Sequence, residues 1–196
     1  HLSLRRQRQM CIRDSFNTVS ILWSQPITSL EVLMPDNIWR KVRHEANAVV
    51  LNLGDAMHFI SGGFFKPTIH RVVAPPEDQK HYNRLGVFYF ALFNENVVLE
   101  PLMESDIVKK ASQEHDFWSE RHSRGLPAVT AGEWERMRVR AYGQGGQKKG
   151  SDGHDHEQIA GVNVTLYNSI QNVPKVARKI GGVNEHAPAR VIHATS

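Results

Sequence analysis

The feature that most constrains this chain is the rhythm of its middle. Short runs of apolar, β-branched and aromatic residues alternate with clusters of turn formers. Val19-Ser20-Ile21-Leu22-Trp23 is the first run. Leu30 to Leu33 alternates apolar and polar, Pro35-Asp36-Asn37 has turn chemistry, and Ile38 to Val42 returns, which predicts a hairpin. Ala48 to Asn52 has the pattern of a buried strand. Leu53-Gly54-Asp55 turns it, with Gly54 expected at positive φ, and Ala56 to Ile60 is expected to continue as strand. Ser61-Gly62-Gly63 breaks the chain again. Thr68 to Val73 follows and stops at Pro75-Pro76, and Leu85 to Phe93 reads as the longest strand. Short strands at this spacing predict an all-β sandwich or barrel. Trp23, Trp39 and Phe88 are expected in its core.

Beyond the strands the pattern changes. Asp106 to Ala111 reads as a helix with Ser105 as N-cap. Ala131 to Tyr142 reads as a second, with Thr130 as cap and Glu133 three residues on, the capping-box spacing. Its apolar face of Trp134, Met137 and Val139 is weak. Residues 143–157 read as a polar loop, Ile159 to Tyr167 as one more strand, and 168–196 as a loose tail.

The whole is about one domain of 196 residues, and its 40% hydrophobic content is enough for a core. No apolar run has the length of a membrane helix. The lone Cys11 points to a reducing, cytoplasmic setting. The formal charge of +4 is concentrated at the start, where Arg5, Arg6, Arg8 and Arg13 face only Asp14. The rest is close to neutral, which argues against a nucleic-acid surface. Residues 1–15 change pattern abruptly at Phe16 and are expected to be a non-native or disordered segment.

The block from Ala48 to Phe93 carries the chemistry. It contains Asn52-x-Gly54-Asp55, then Ser61-Gly62-Gly63, then His70-Arg71-Val72, then Arg84-x-Gly86. By residue type alone His70 could be a hydrogen-bonded structural histidine and Arg84 a surface ion-pair residue. Lys66 and Arg71 could be solvated or line a pocket mouth. In this order, the pieces resemble the iron(II)/2-oxoglutarate-dependent dioxygenase superfamily, in its isopenicillin N synthase-like branch. The resemblance runs over about residues 16–143.

The resemblance implies a double-stranded β-helix, or jelly roll, incomplete at the N-terminus and followed by C-terminal helices. It implies Fe(II) as metal and 2-oxoglutarate as co-substrate. Such sites hold iron on a face of two histidines and one carboxylate, leaving positions open for co-substrate and O₂. His70 matches the distal ligand. Arg84 matches the arginine whose planar, permanently charged fork suits a carboxylate. Gly86 stands where the family has a co-substrate serine. The remaining ligands form an H-x-D motif whose positions here hold Arg13 and Ser15, with Asp14 one place out of register. The implied protein is a fragment of an oxidoreductase acting on a small organic substrate by hydroxylation, desaturation or cyclisation, inactive as written. The alternative is a non-catalytic jelly-roll binding module that has lost its metal site. His154-Asp155-His156-Glu157 has metal-ligand composition but lies in a loop with nothing to fix its geometry.

Overall fold

The computed structural model describes residues 15, 17–141, 148–151 and 155–166. The expectations for Arg13 and for the tail 168–196 lie outside these residues. Three three-stranded antiparallel sheets are described. In the first, β1 (Val19–Trp23) is flanked by β4 (Val49–Leu53) and β6 (Phe88–Ala91). In the second, β2 (Leu30–Leu33) is flanked by β3 (Trp39–Lys41) and β5 (His70–Val72). Apart from the β2–β3 hairpin, neighbours in these two sheets come from distant parts of the chain, as in a double-stranded β-helix. The third sheet, β7 (Lys148–Lys149), β8 (Asp155–Ile159) and β9 (Val162–Leu166), follows the helices. The predicted loop over 143–157 is therefore partly strand. The turn between β8 and β9 places Ala160 and Gly161 at φ 53° and 86°, the two left-handed residues that a tight hairpin needs.

Register sets the faces. Directly opposed residues share a face. Ser20, Asn52 and Phe90 lie on one side of the first sheet, and Ile21, Leu51 and Tyr89 on the other. Both sides are open among the described residues. Trp23 is 47% and Phe88 56% exposed, so neither is the core residue expected from its type. Trp39 is half-buried, with its ring under a guanidinium rather than in an apolar interior.

The core lies on the helical side instead. The segment Ala56–Ile60, expected as strand, lies in a helix, α1 (Asp55–Ile60). Its buried residues Ala56, Phe59 and Ile60 are spaced i, i+3, i+4, a helical and not a strand period. They pack with Leu99, Trp118, Ala128, Val129, Trp134 and Ile159. Trp118 and Trp134 are each 1% exposed, and burial of two such rings makes this the main apolar contribution to stability. The Trp118 indole N–H donates to the Leu99 carbonyl at 2.8 Å, so its one polar atom is satisfied.

Two further helices, α2 (Asp106–Ser112) and α3 (Ser119–Ser123), lead to α4 (Ala131–Ala141). Ser105 precedes α2 without a side-chain cap, and nothing in the sequence analysis marked α3. The capping box of α4 is formed in both directions. The Thr130 N–H donates to Glu133 Oε2 at 2.9 Å and the Glu133 N–H to Thr130 Oγ1 at 3.3 Å.

Candidate functional site

His70 opens β5 and is half-buried. It is directly opposed to Val32 of β2, which is itself opposed to Arg40 of β3, so these three share a face. His70 Nδ1 lies 2.8 Å from the Thr68 carbonyl oxygen. A carbonyl only accepts, so Nδ1 carries the hydrogen, and in the neutral ring Nε2 is the basic nitrogen. That is the tautomer of an imidazole that would bind a metal through Nε2. On the opposite face Arg71 donates through Nε to Glu31 Oε2 at 2.8 Å, and its guanidinium lies 4.0 Å above the Trp39 ring. Arg71 is thus ion-paired and largely shielded rather than solvated.

Arg84 and Gly86 precede β6. The long strand expected from Leu85 to Phe93 is regular only over Phe88–Ala91, although pairing reaches one residue further, where Trp23 N–H donates to Val87 O at 3.0 Å. Arg84 is half-buried, and its Nε is buried with no hydrogen-bond partner among the described residues. A buried charged donor without an acceptor is costly, so this site favours an anion with carboxylate geometry. A Cβ on Gly86 would meet Arg84 Nη1 at 3.9 Å and the Phe88 ring at 3.8 Å, ordinary contact distances. Gly86 therefore sits beside Arg84 and contributes space rather than a hydroxyl. His70 and Arg84 belong to segments of different sheets.

Ser15 is placed beside Asn52. The Asn52 amide donates to Ser15 Oγ at 2.9 Å, which uses a neutral hydroxyl and offers no carboxylate. Among the described residues, no group of three or more His, Cys, Asp or Glu is placed to hold a metal ion. That includes the described part of the His154–Glu157 cluster. The donors present fit the carboxylate of 2-oxoglutarate at Arg84. Around His70 they do not make up the two-histidine, one-carboxylate face of iron(II).

A strap, Ser61 to Lys66, connects α1 to the approach of β5. His58 Nδ1–H donates to the Phe65 carbonyl at 2.6 Å, and the imidazole packs on Phe117 with 4.7 Å between ring centres. Burial pushes the His58 pKa below 6.5; the bond to Phe65 opposes this, and the nearby charges of His115 and Lys66 add to it. The unfolded chain therefore binds a proton that the folded chain resists. The stabilising contribution is complete above about pH 6.5 and is lost as pH falls from there through the folded-state pKa. We expect the urea midpoint to fall between about pH 7.5 and about pH 5.5, and His58→Gln to flatten that slope. An unchanged slope in the variant excludes His58 as its source.

Sequence reasoning assigned Asp55 only to a turn. It is buried, its Oδ2 lies 3.2 Å from Arg138 Nε of α4, and it accepts from the Trp134 indole N–H at 3.3 Å. The signal was available: an acidic residue beside an apolar helical period, and an arginine four residues after a tryptophan on the second helix.

The antiparallel strands, with β1 paired to β4 and β6 and β2 paired to β5 across long stretches of sequence, define a class by fold: an incomplete double-stranded β-helix. The model of the 2OG-Fe(II) oxygenase superfamily matches residues 6–92, which include Ser15, Asn52, His70, Arg84 and Gly86. Over that segment, somewhat under half of the chain, the sequence is similar to this superfamily, which is named for Fe(II) and 2-oxoglutarate. It is 26% identical over 151 residues to a UPF0676 protein of Schizosaccharomyces pombe, covering 74% of this chain and 41% of that protein. It is 32% identical over 84 residues to jasmonate-induced oxygenase 3 of Arabidopsis thaliana, covering 43% and 22%. Among solved structures it is similar in fold to a full-length Neurospora crassa protein in complex with alpha-KG, with a TM-score of 0.55 at 22% identity over 67% of this chain and 37% of that one. A 2OG-Fe(II) oxygenase family protein of Caulobacter crescentus gives 0.53 at 24% over 66% and 39%. The chain spans less than half the length of these relatives. No described helix is long and apolar enough to cross a membrane.

Proposed function

We propose that this chain is part of an Fe(II)/2-oxoglutarate-dependent oxygenase of small organic substrates, and that the polypeptide as written does not turn over. In this reading His70 would bind iron through Nε2, and Arg84 pairs with the far carboxylate of 2-oxoglutarate. With the H-x-D pair restored, iron held by those side chains and His70 would supply oxidation of the substrate coupled to decarboxylation of 2-oxoglutarate. The protein's own residues hold the co-substrate, fix the imidazole's tautomer and present the open sheet face. The observation that carries the reading is the buried Nε of Arg84, without a hydrogen-bond partner among the described residues, inside the family-matched segment. Inactivity follows from Arg13 and Ser15 in the places of a histidine and a carboxylate. One imidazole does not hold Fe(II) well.

The test is Arg13→His/Ser15→Asp. Under anaerobic conditions with Fe(II) and 2-oxoglutarate, the double variant should show a weak visible charge-transfer band that the parent chain lacks. In that background Arg84→Met should weaken 2-oxoglutarate binding about tenfold to a hundredfold, the value of a charge-assisted hydrogen bond of about 1.5–3 kcal/mol. A double variant that folds yet gives no band counts against the enzyme reading. It would favour a jelly-roll binding module, in which the Ser15–Asn52 hydrogen bond is the settled arrangement.

A further inference from the structure

We propose that Arg71 is the positioning residue of this site: it holds β5 in the one register that turns His70 to the face it occupies. The inference rests on the reading of His70 as the site's imidazole. β5 has only three residues and pairs with β2 alone among the described strands. Its apolar content does not set its register, because Val72 is 43% exposed. Where neither face is well buried, register is weakly specified, and a slip of one residue turns every side chain over. A slipped β5 would put Arg71 where His70 stands.

Arg71 counters that slip. It is directly opposed to Glu31, and Nε and Nη2 lie 2.8 Å and 2.7 Å from the same carboxylate oxygen. The two side chains are only 15% and 12% exposed, so solvent screens the pair little. The guanidinium then reaches past β2 to stack on Trp39 of β3. Lys41, directly opposed to Glu31 on its other side, adds a second positive charge on the same face. One side chain thus ties three strands together on the face away from His70. Backbone bonds bracket it, from Val73 N–H to Ser29 O at 2.7 Å and from Leu33 N–H to Ile69 O at 2.8 Å. Lysine cannot replace it, because an ammonium has neither the fork nor the flat face.

The experiment uses the chain as it stands, labelled with nitrogen-15, and needs no iron. Arg71→Lys should speed amide exchange at Val73 and Leu33 by about tenfold, while Trp23, bonded to Val87 in the other sheet, stays within about twofold. The His70 ring should pass from a single Nδ1–H tautomer to a mixture, a signature that a general loss of stability would not give. Trp39→Leu keeps the ion pair and removes the stack, and should move the same signals less. Two results overturn the proposal: His70 ring signals unchanged in Arg71→Lys, or exchange accelerated equally in both sheets. Should Arg71→Lys fail to fold, unchanged His70 signals in Trp39→Leu overturn it too. A negative iron titration of Arg13→His/Ser15→Asp beside a positive exchange result strikes only the proposed function, and the converse strikes only this inference.

Discussion

Asp55→Ala should lower the unfolding free energy by about 3–5 kcal/mol, the usual cost of removing one partner from a buried ion pair. Against a typical domain stability of about 5–15 kcal/mol, that is enough to leave much of the chain unfolded. The pair is largely shielded, with Asp55 and Arg138 side chains 12% and 8% exposed, so screening by water does not rescue it. The contact between Oδ2 and Nε is an ion contact at 3.2 Å, angled away from ideal hydrogen-bond geometry, and the Trp134 indole shares the same oxygen. Removing the carboxylate therefore weakens the anchor between α1 and α4 at two places. Asp55→Asn keeps an oxygen for Trp134 and loses only the charge, so about 1–3 kcal/mol is expected. Asp55→Ala/Arg138→Met should recover part of the loss, since the stranded charge goes too. Urea denaturation with circular dichroism reads all three. A loss below about 1 kcal/mol for Asp55→Ala would show that the pair does not hold the helices together.

The strands of both main sheets were legible because period-two patterning and turn residues agree there. Leu30 to Leu33 and Trp39 to Lys41 fold as the expected hairpin around Pro35-Asp36-Asn37. The capping box at Thr130 was legible for the same reason: one spacing has one structural meaning. Ala56 to Ile60 was misread because a short apolar run fits both periods, and its position after a strand and turn favoured continuation. The exposed Trp23 and Phe88 were not legible, since type predicts burial only when something covers the face. At the site, motif order placed His70 and Arg84 within the family match. It could not show that Arg84 Nε is buried without a partner among the described residues, that Thr68 fixes the His70 tautomer, or that Arg71 reaches Glu31 and Trp39. Those depend on which strands meet, and β2 meets β5 across 40 residues of sequence between Glu31 and Arg71.

Gly54→Ala is the second change with a large expected effect, and two opposing terms decide its sign. Gly54 has φ −108°, not the positive value its type suggested, so alanine adopts its backbone without strain. From the unfolded state alone, Gly→Ala would then stabilise by about 0.4–1 kcal/mol. The folded state opposes this. A Cβ at Gly54 would lie 2.1 Å from the Asn17 carbonyl oxygen and 2.3 Å from that of Ser15. Neither is the movable end of a side chain. The Ser15 carbonyl is held by the Asp55 N–H at 2.8 Å, and the next residue after Asn17, Thr18, is held by the Gly54 N–H at 3.1 Å. The chain would have to part there, loosening the start of β1, the end of β4 and the first turn of α1 together. Overpacking against yielding side chains costs about 1–3 kcal/mol, so contact with fixed backbone should cost about 3 kcal/mol or more, several times the entropic gain. Gly125→Ala is the control with the other mechanism: its φ is 70° and nothing lies within 4 Å of the added carbon, so only conformational strain of about 1–2 kcal/mol applies. Asn17→Ser relieves the 2.6 Å approach of Oδ1 but neither carbonyl contact, so it should restore little in the Gly54→Ala background. A Gly54→Ala chain as stable as the parent in urea would mean that the strand ends separate freely, and the close seat of β1 against α1 would have to be given up.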